Sequence, residues 1–204
     1  MSAAPPKPPR RLRHAGWREV EFASLDFETT GLDYARDAVL SFGIVPIRGG
    51  RIVLRDAVHQ LVEPHVAPSP TSMTIHGILP AELVGAPSML EARQTLRSAL
   101  AGRFLLAWYA EVEIAFLSRI FAMRSGSWRR RTVDARRLVL ALEGRPGHTR
   151  ETLAGTAARY GIPVTSPHQA LDDALVTAQL FLVLASRLEE HGRSRVGDLI
   201  ALCR

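Results

Sequence analysis

Two acidic residues separated by one position, Asp26 and Glu28, open the chemically informative part of this sequence, in the run Ser24-Leu25-Asp26-Phe27-Glu28-Thr29-Thr30-Gly31. The segment Val20–Phe27 alternates as a strand does, and strand side chains repeat every two residues, so both carboxylates point the same way. Carboxylates held side by side repel one another. A hard divalent cation, which prefers oxygen ligands, relieves that repulsion. Thr29, Thr30 and Gly31 then supply backbone N–H groups and little bulk, which suits close approach of a nucleotide. Taken alone, Asp-x-Glu is a weak signal, because two solvated acids at a strand end read the same way.

The second run is His168-Gln169-Ala170-Leu171-Asp172-Asp173-Ala174, which enters a helix starting near Ala170. Acids are electrostatically favoured at a helix start, so Asp172 and Asp173 have a plain explanation there. His168 has one as an ordinary loop histidine. What separates these readings is order and spacing taken together. Asp26-Phe27-Glu28-Thr29-Thr30-Gly31, then Thr74-Ile75-His76-Gly77-Ile78, then Thr132-Val133-Asp134, then His168 with Asp173 four intervening residues later, follow one pattern. On these motifs the chain resembles the DEDDh, or DnaQ-like, exonucleases, a family that includes proofreading epsilon subunits of bacterial replicative polymerases and RNase T. The likeness covers about residues 20–187.

The resemblance implies an α/β, ribonuclease H-like domain acting as a 3′→5′ exonuclease that releases nucleoside 5′-monophosphates. It implies two divalent cations, Mg²⁺ or Mn²⁺, held by Asp26, Glu28 and Asp173, with Glu113 as a further metal partner. It makes His168 the base that takes a proton from water, a task suited to a side chain whose ordinary pKa is near neutral. Thr29, Thr30, Gly31 and His76 become contacts to the terminal nucleotide. The partner is the 3′ end of a single strand, DNA favoured over RNA. Polymerase association is supported by no segment, and the expected location is a bacterial cytoplasm. Two alternatives stay open: an RNA-trimming enzyme, and an inert nucleic-acid-binding module on the same fold.

The second family motif departs from its pattern. Where the family has Ala-His-Asn and then a metal-binding Asp, this chain has Ala107-Trp108-Tyr109 and then Glu113. Glu keeps the charge and adds a methylene. Glu111 is the competing acid, and helical geometry turns it elsewhere. Trp108 and Tyr109, at the end of a buried strand, read as core rather than as base-stacking residues.

The elements that must position these groups follow from periodicity. Ala38–Ile47 is a second strand. A turn at Arg48-Gly49-Gly50-Arg51 returns the chain along Ile52–Val62, making an antiparallel three-stranded meander. Pro46 lacks a ladder donor and belongs at an edge or strand end. Phe104–Trp108 and Thr132–Ala135 complete a mixed five-stranded sheet. Helices are expected over Pro87–Ala101, Val112–Met123, Ala135–Leu142, Thr149–Tyr160 and Ala170–Glu190, on the faces of that sheet.

Composition bounds the rest. The chain has 204 residues, 47% hydrophobic and 23% charged, enough for one domain with a real core. Residues 17–191 form the expected domain, 192–204 a C-terminal extension, and 1–16 a Pro- and Arg-rich arm that reads as a solvated tail rather than as a phosphate contact. No apolar run approaches the roughly 18 residues that span a bilayer. Met1–Arg13 carries Pro and Arg rather than a signal stretch. Cys203 stands alone, which excludes an internal disulfide and a thiolate zinc cluster. The net charge of +6 suits polyanion partners. The run Arg129-Arg130-Arg131, with Arg136 and Arg137, reads as a solvated surface.

Overall fold

The computed structural model describes residues 4–145 and 151–204. The central strand β1 (Glu21–Thr29) pairs antiparallel with β2 (Val39–Arg48), with Asp26 opposite Gly43 and Glu28 opposite Ser41; the register then slips, so that Thr29 meets Val39. The chain returns along the outer side of β2 as β3 (Arg51–Ile52), a 3-10 turn over Leu54–Asp56, and β4 (Val58–Leu61). One expected strand is therefore two, and Pro46 shows why. It lies inside β2, not at an edge or strand end. Its carbonyl accepts from Val53 N–H (2.9 Å). In an antiparallel ladder a residue's N and O face the same neighbour, so Pro46 offers no donor on the side where the returning chain leaves the ladder.

Helices α1 (Pro70–His76), α2 (Pro80–Leu83) and α3 (Met89–Ala99) precede β5 (Phe104–Ala107), which joins the free side of β1 in parallel. Then α4 (Ala110–Ile120) and α5 (Ser125–Arg129) lead to β6 (Thr132–Asp134), parallel to β5. Last come α6 (Ala135–Leu142), α7 (Leu153–Arg159), α8 (Ala170–Glu190) and α9 (Val196–Leu202). The result among the described residues is an α/β mixed sheet of six strands, ordered β3-β2-β1-β5-β6 with β4 also on β2. Of the helix expected over Thr149–Tyr160, Thr149 and Arg150 lie outside the described residues. The rest is α7, capped by the Thr152 hydroxyl accepting from Gly155 N–H (3.1 Å). Sequence reading did not foresee α1, α2, α5 or α9, which have seven residues or fewer and so show too little period to read.

Both sheet faces are covered, which is why the inner strands are apolar on both sides. On one face Phe22, Val45, Ile47, Phe104, Leu106 and Val133 pack under α6, α7, α8 and α9; on the other Ala23, Leu25, Phe42, Ile44 and Leu105 pack under α3, α4 and α5. Phe22 is fully buried, with Phe104 and Phe181 rings at 5.9 and 4.7 Å. Truncating such a side chain costs about 3–5 kcal/mol.

The two ends of the chain are tied into this core. Trp17 N–H donates to the Ser194 carbonyl (2.9 Å) and Val196 N–H to the Ala15 carbonyl (3.1 Å). Val196, Leu199 and Ile200 are buried in the same cluster as Trp17. Residues 4–16 differ from the solvated tail expected of them: Pro5 and Pro8 are buried, a 3-10 turn spans Arg10–His14, and Pro6 accepts from Gly102 N–H (2.9 Å). Backbone hydrogen bonds and proline packing hold this segment, neither of which shows in hydrophobic pattern.

Candidate active site

The site forms on the C-terminal half of β1, beside the point where β2 passes under the start of α8. A side chain on β2 would block this approach. A Cβ on Gly43 would lie 2.2 Å from the Ala170 carbonyl oxygen and 2.3 Å from Leu171 N. Because Gly43 has none, the backbone of α8 rests on the strand beside Asp26, and the first helical turn delivers Asp173. One carboxylate oxygen each from Asp26, Glu28 and Asp173 then lie within 4.8 Å of one another. Gly43 was not singled out from sequence. Its signal is a lone glycine inside an otherwise bulky, β-branched strand.

Asp173 has a second task. Its Oδ2 accepts the backbone N–H of His168 (3.1 Å), which ties the preceding loop to the helix start. His168 has φ of +63°, a left-handed conformation uncommon outside glycine and found at constrained sites. Its ring lines the same cavity of about 630 Å³ as the three acids.

Glu113 lies in the first turns of α4, 5% exposed, and lines that cavity too. It stands outside the 4.8 Å group, yet its charge raises Asp26. Its Oε2 has no hydrogen-bond partner among the described residues. Glu111 points away, in an exposed ion pair with Arg129 (2.6 Å). Asp134 sets the entry of α4: one of its oxygens accepts from Ala110 N–H (3.1 Å), while the other caps α6 through Arg137 N–H (3.0 Å).

The acids are poorly solvated and mutually repelling. Burial pushes Asp26 well above the usual carboxylate range, and Glu113, Glu28 and Asp173 push it further. Burial and then Asp173 raise Glu28 to about 7. Burial raises Glu113 to about 8, with Asp134 and Glu28 adding to it against a backbone hydrogen bond. Burial also raises Asp173, against the His168 N–H. Without a cation, burial and mutual repulsion favour the protonated forms of these acids. Oxygen ligands converging from a strand and a helix, short of donors and electrostatically frustrated, fit a hard dication.

The other predicted contacts divide. Thr29 lines the cavity, its hydroxyl donating to the Gly31 carbonyl (2.8 Å). Thr30 does not line it. Its hydroxyl donates to Asp37 Oδ1 (2.7 Å) and accepts from Ala38 N–H (2.9 Å), closing the loop between β1 and β2. Gly31 lines the cavity, and a Cβ there would sit 2.5 Å from Asp37 Oδ2; the glycine serves the Asp37 clamp rather than room for a ligand alone. His76 is buried at the end of α1, which stops at Gly77 (φ +70°). Its Nδ1 accepts from Ile78 N–H (3.0 Å), so the proton of the neutral ring sits on Nε2. Nε2 has no partner among the described residues, and burial and then His168 lower the His76 pKa.

Trp108 and Tyr109 differ from the buried pair expected. Trp108 is half-buried, Tyr109 is 49% exposed, and both line the cavity with exposed Leu32 and Ile75. They lie past the end of β5, where the chain has left the covered sheet.

A match to the RNase T-type exonuclease family model spans residues 24–181, and the chain belongs to that family of exonucleases. Among relatives, it is 31% identical over 182 residues to a PolC-type DNA polymerase III of Thermotoga maritima, covering 89% of this chain and 13% of that polymerase. It is 26% identical to the DNA polymerase III subunit epsilon of Aquifex aeolicus over 184 residues, covering 90% of this chain and 88% of that subunit. Together these define a DnaQ-like exonuclease. The fold is shared with E. coli exonuclease I in complex with a dT13 oligonucleotide, at TM-score 0.71 and 17% identity over 84% of this chain and 43% of that one. It is shared too with exonuclease X in complex with 5′ overhanging duplex DNA, at TM-score 0.69 and 19% identity over 90% and 99% of the two chains. Among the described residues, no helix is long and apolar enough to cross a membrane.

Proposed function

We propose that this chain is a divalent-metal-dependent 3′→5′ exonuclease that shortens single-stranded DNA and releases nucleoside 5′-monophosphates. The observation that carries this reading is the meeting of Asp26, Glu28 and Asp173 within 4.8 Å, in a cavity that His168 and Glu113 also line. Asp26, Glu28 and Asp173 would hold the cations, two Mg²⁺ or Mn²⁺, with Glu113 completing the set beside Asp26. When bound, these ions supply charge against the scissile phosphate and lower the pKa of water.

The chain's own groups do the rest. His168, held by the Asp173–backbone hydrogen bond, takes the proton of the attacking water. Water oxygen bonds to phosphorus, the bond to the 3′ oxygen of the penultimate nucleotide breaks, and that oxygen takes a proton from solvent while His168 returns its own to solvent. Thr29, the Nε2–H of His76 and the Gly31 backbone face the terminal nucleotide. Leu32, Ile75 and Tyr109, apolar and exposed at the rim, offer walls to its base. The dT13 complex of exonuclease I supports a single strand as substrate, and the duplex complex of exonuclease X supports DNA. The names of the relatives support action beside a polymerase, and a cytoplasmic location goes with that reading.

The test is a 5′-labelled single-stranded oligodeoxynucleotide incubated with purified protein and Mn²⁺. A ladder shortening from the 3′ end, lost with EDTA and in Asp26→Ala, is expected. An intact strand, or an Asp26→Ala protein that trims at the parent rate, defeats the proposal. Tight binding without turnover would instead identify an inert binding module, and faster trimming of RNA an exoribonuclease.

A further inference from the structure

A second cavity, about 450 Å³, lies at the opposite end of the sheet, between the N-terminal segment and the starts of β5 and β6. Its cationic lining is Lys7, Arg10, Arg13, Arg130 and Arg131, with His14 beside them, and no carboxylate shares the lining. It has no lining residue in common with the carboxylate cavity. The length of β5, about 13 Å at ~3.3 Å per residue, separates the two ends.

Arg131 is the centre of this arrangement. It is 4% exposed, and its guanidinium lies over the Trp128 ring at 3.8 Å. None of its three side-chain nitrogens has a hydrogen-bond partner among the described residues. Arg13 Nε and Ser127 Oγ, in the same lining, are buried and unpartnered too. Burial lowers Arg131 to about 10, so it remains a cation at neutral pH. A buried charge without a counter-charge or hydrogen bonds is costly. Five buried donor atoms without partners among the described residues, on residues that line one cavity with five formal positive charges, suit a multivalent oxyanion. A guanidinium fork matches a phosphate through two parallel N–H···O bonds.

We propose that this cavity is a phosphate-binding site separate from the carboxylate cleft, taking the phosphate of a nucleotide or of a nucleic-acid strand. The N-terminal segment, laid along the sheet end by its Pro6 and Ala15 hydrogen bonds, supplies Lys7, Arg10 and Arg13 as one wall. Arg130 and Arg131 supply the other. Arg131 is thereby set apart from its solvated neighbours.

The test is calorimetric titration of the full chain in EDTA, without divalent cations, against inorganic phosphate, a nucleoside 5′-monophosphate and a single-stranded oligodeoxynucleotide in turn. Saturable binding of at least one is expected. Arg131→Met, which keeps bulk over Trp128, should weaken it at least roughly tenfold, the scale of one charged hydrogen bond. Arg13→Gln and Arg130→Gln should each weaken it with the fold intact, so the test survives if Arg131→Met unfolds. Phosphate displaced by the oligonucleotide identifies the strand as source, and phosphate displaced only by the mononucleotide identifies a free nucleotide. No saturable binding, or binding indifferent to Arg13→Gln and Arg130→Gln, overturns the proposal and leaves a cavity of water and buffer ions.

Discussion

Gly43→Ala adds a single methyl group on a strand that contributes no catalytic side chain, yet it should disable the site. The new Cβ would stand 2.2 Å from the Ala170 carbonyl oxygen, and backbone, not a flexible side chain, is what it meets. Bringing 2.2 Å out to the 3.4 Å of ordinary contact lifts the start of α8 by roughly 1.2 Å. Overpacking of this kind costs about 1–3 kcal/mol, which a domain of this size survives. The site survives less well, because the lifted turn carries Asp173 away from Asp26 and Glu28 and carries His168 with it. Misplacement by about 1 Å is worth on the order of 10²-fold in rate. Urea unfolding with and without Mn²⁺, beside trimming rates on a labelled strand, separates the two effects. The expected result is a modest loss of stability in EDTA, a larger deficit in Mn²⁺ because metal binds the variant weakly, and a rate down about 10²-fold. If Gly43→Ala trims within about twofold of the parent, the close approach of α8 does not set the site, and the account of how Asp173 is placed is wrong.

Three further outcomes follow from the same geometry. Glu113→Gln should lower the rate at least roughly tenfold while Glu111→Gln leaves it nearly unchanged, since an exposed ion pair contributes at most about 1 kcal/mol; paired rate measurements decide. In EDTA, stability should fall as pH rises from the ordinary carboxylate range near 4.5 through about 7 and 8, where Glu28 and Glu113 lose their protons in the fold. Their folded pKa values are raised, so the native state binds more protons across that window; for Glu28 alone the loss is on the order of 3 kcal/mol. Mn²⁺ should flatten the slope, and urea midpoints across pH in EDTA and Mn²⁺ show whether it does. Thr30→Val should cost about 1–3 kcal/mol by stranding Asp37 and the Ala38 N–H, with KM little changed, whereas a direct nucleotide contact would raise KM.

The carboxylates were legible because a strand repeats every two residues, so Asp26 and Glu28 had to share a side, and because a helix start after His168 put Asp173 on the first turn. What sequence did not disclose is close approach. Thr30 and Gly31 looked like ligand contacts, yet both turn on Asp37, a residue without pattern of its own. Gly43 drew no notice in sequence and is the point where strand and helix touch. Arg131 looked like one of three surface arginines, and the N-terminal segment looked like a tail. The roles of these residues come from what lies against them in the fold, not from their type. The same holds for the Glu that replaces the family's Asp on α4. Its extra methylene could have carried the carboxylate out of the site. Asp134, by accepting from Ala110 N–H, fixes the entry of α4, and Glu113 stays buried, its Oε2 without a partner among the described residues, near enough for its charge to raise Asp26. A buried acid left short of donors beside three others is stable only with protons or with metal. Which of the two it holds at neutral pH is what decides whether this cleft cuts a phosphodiester or merely binds one.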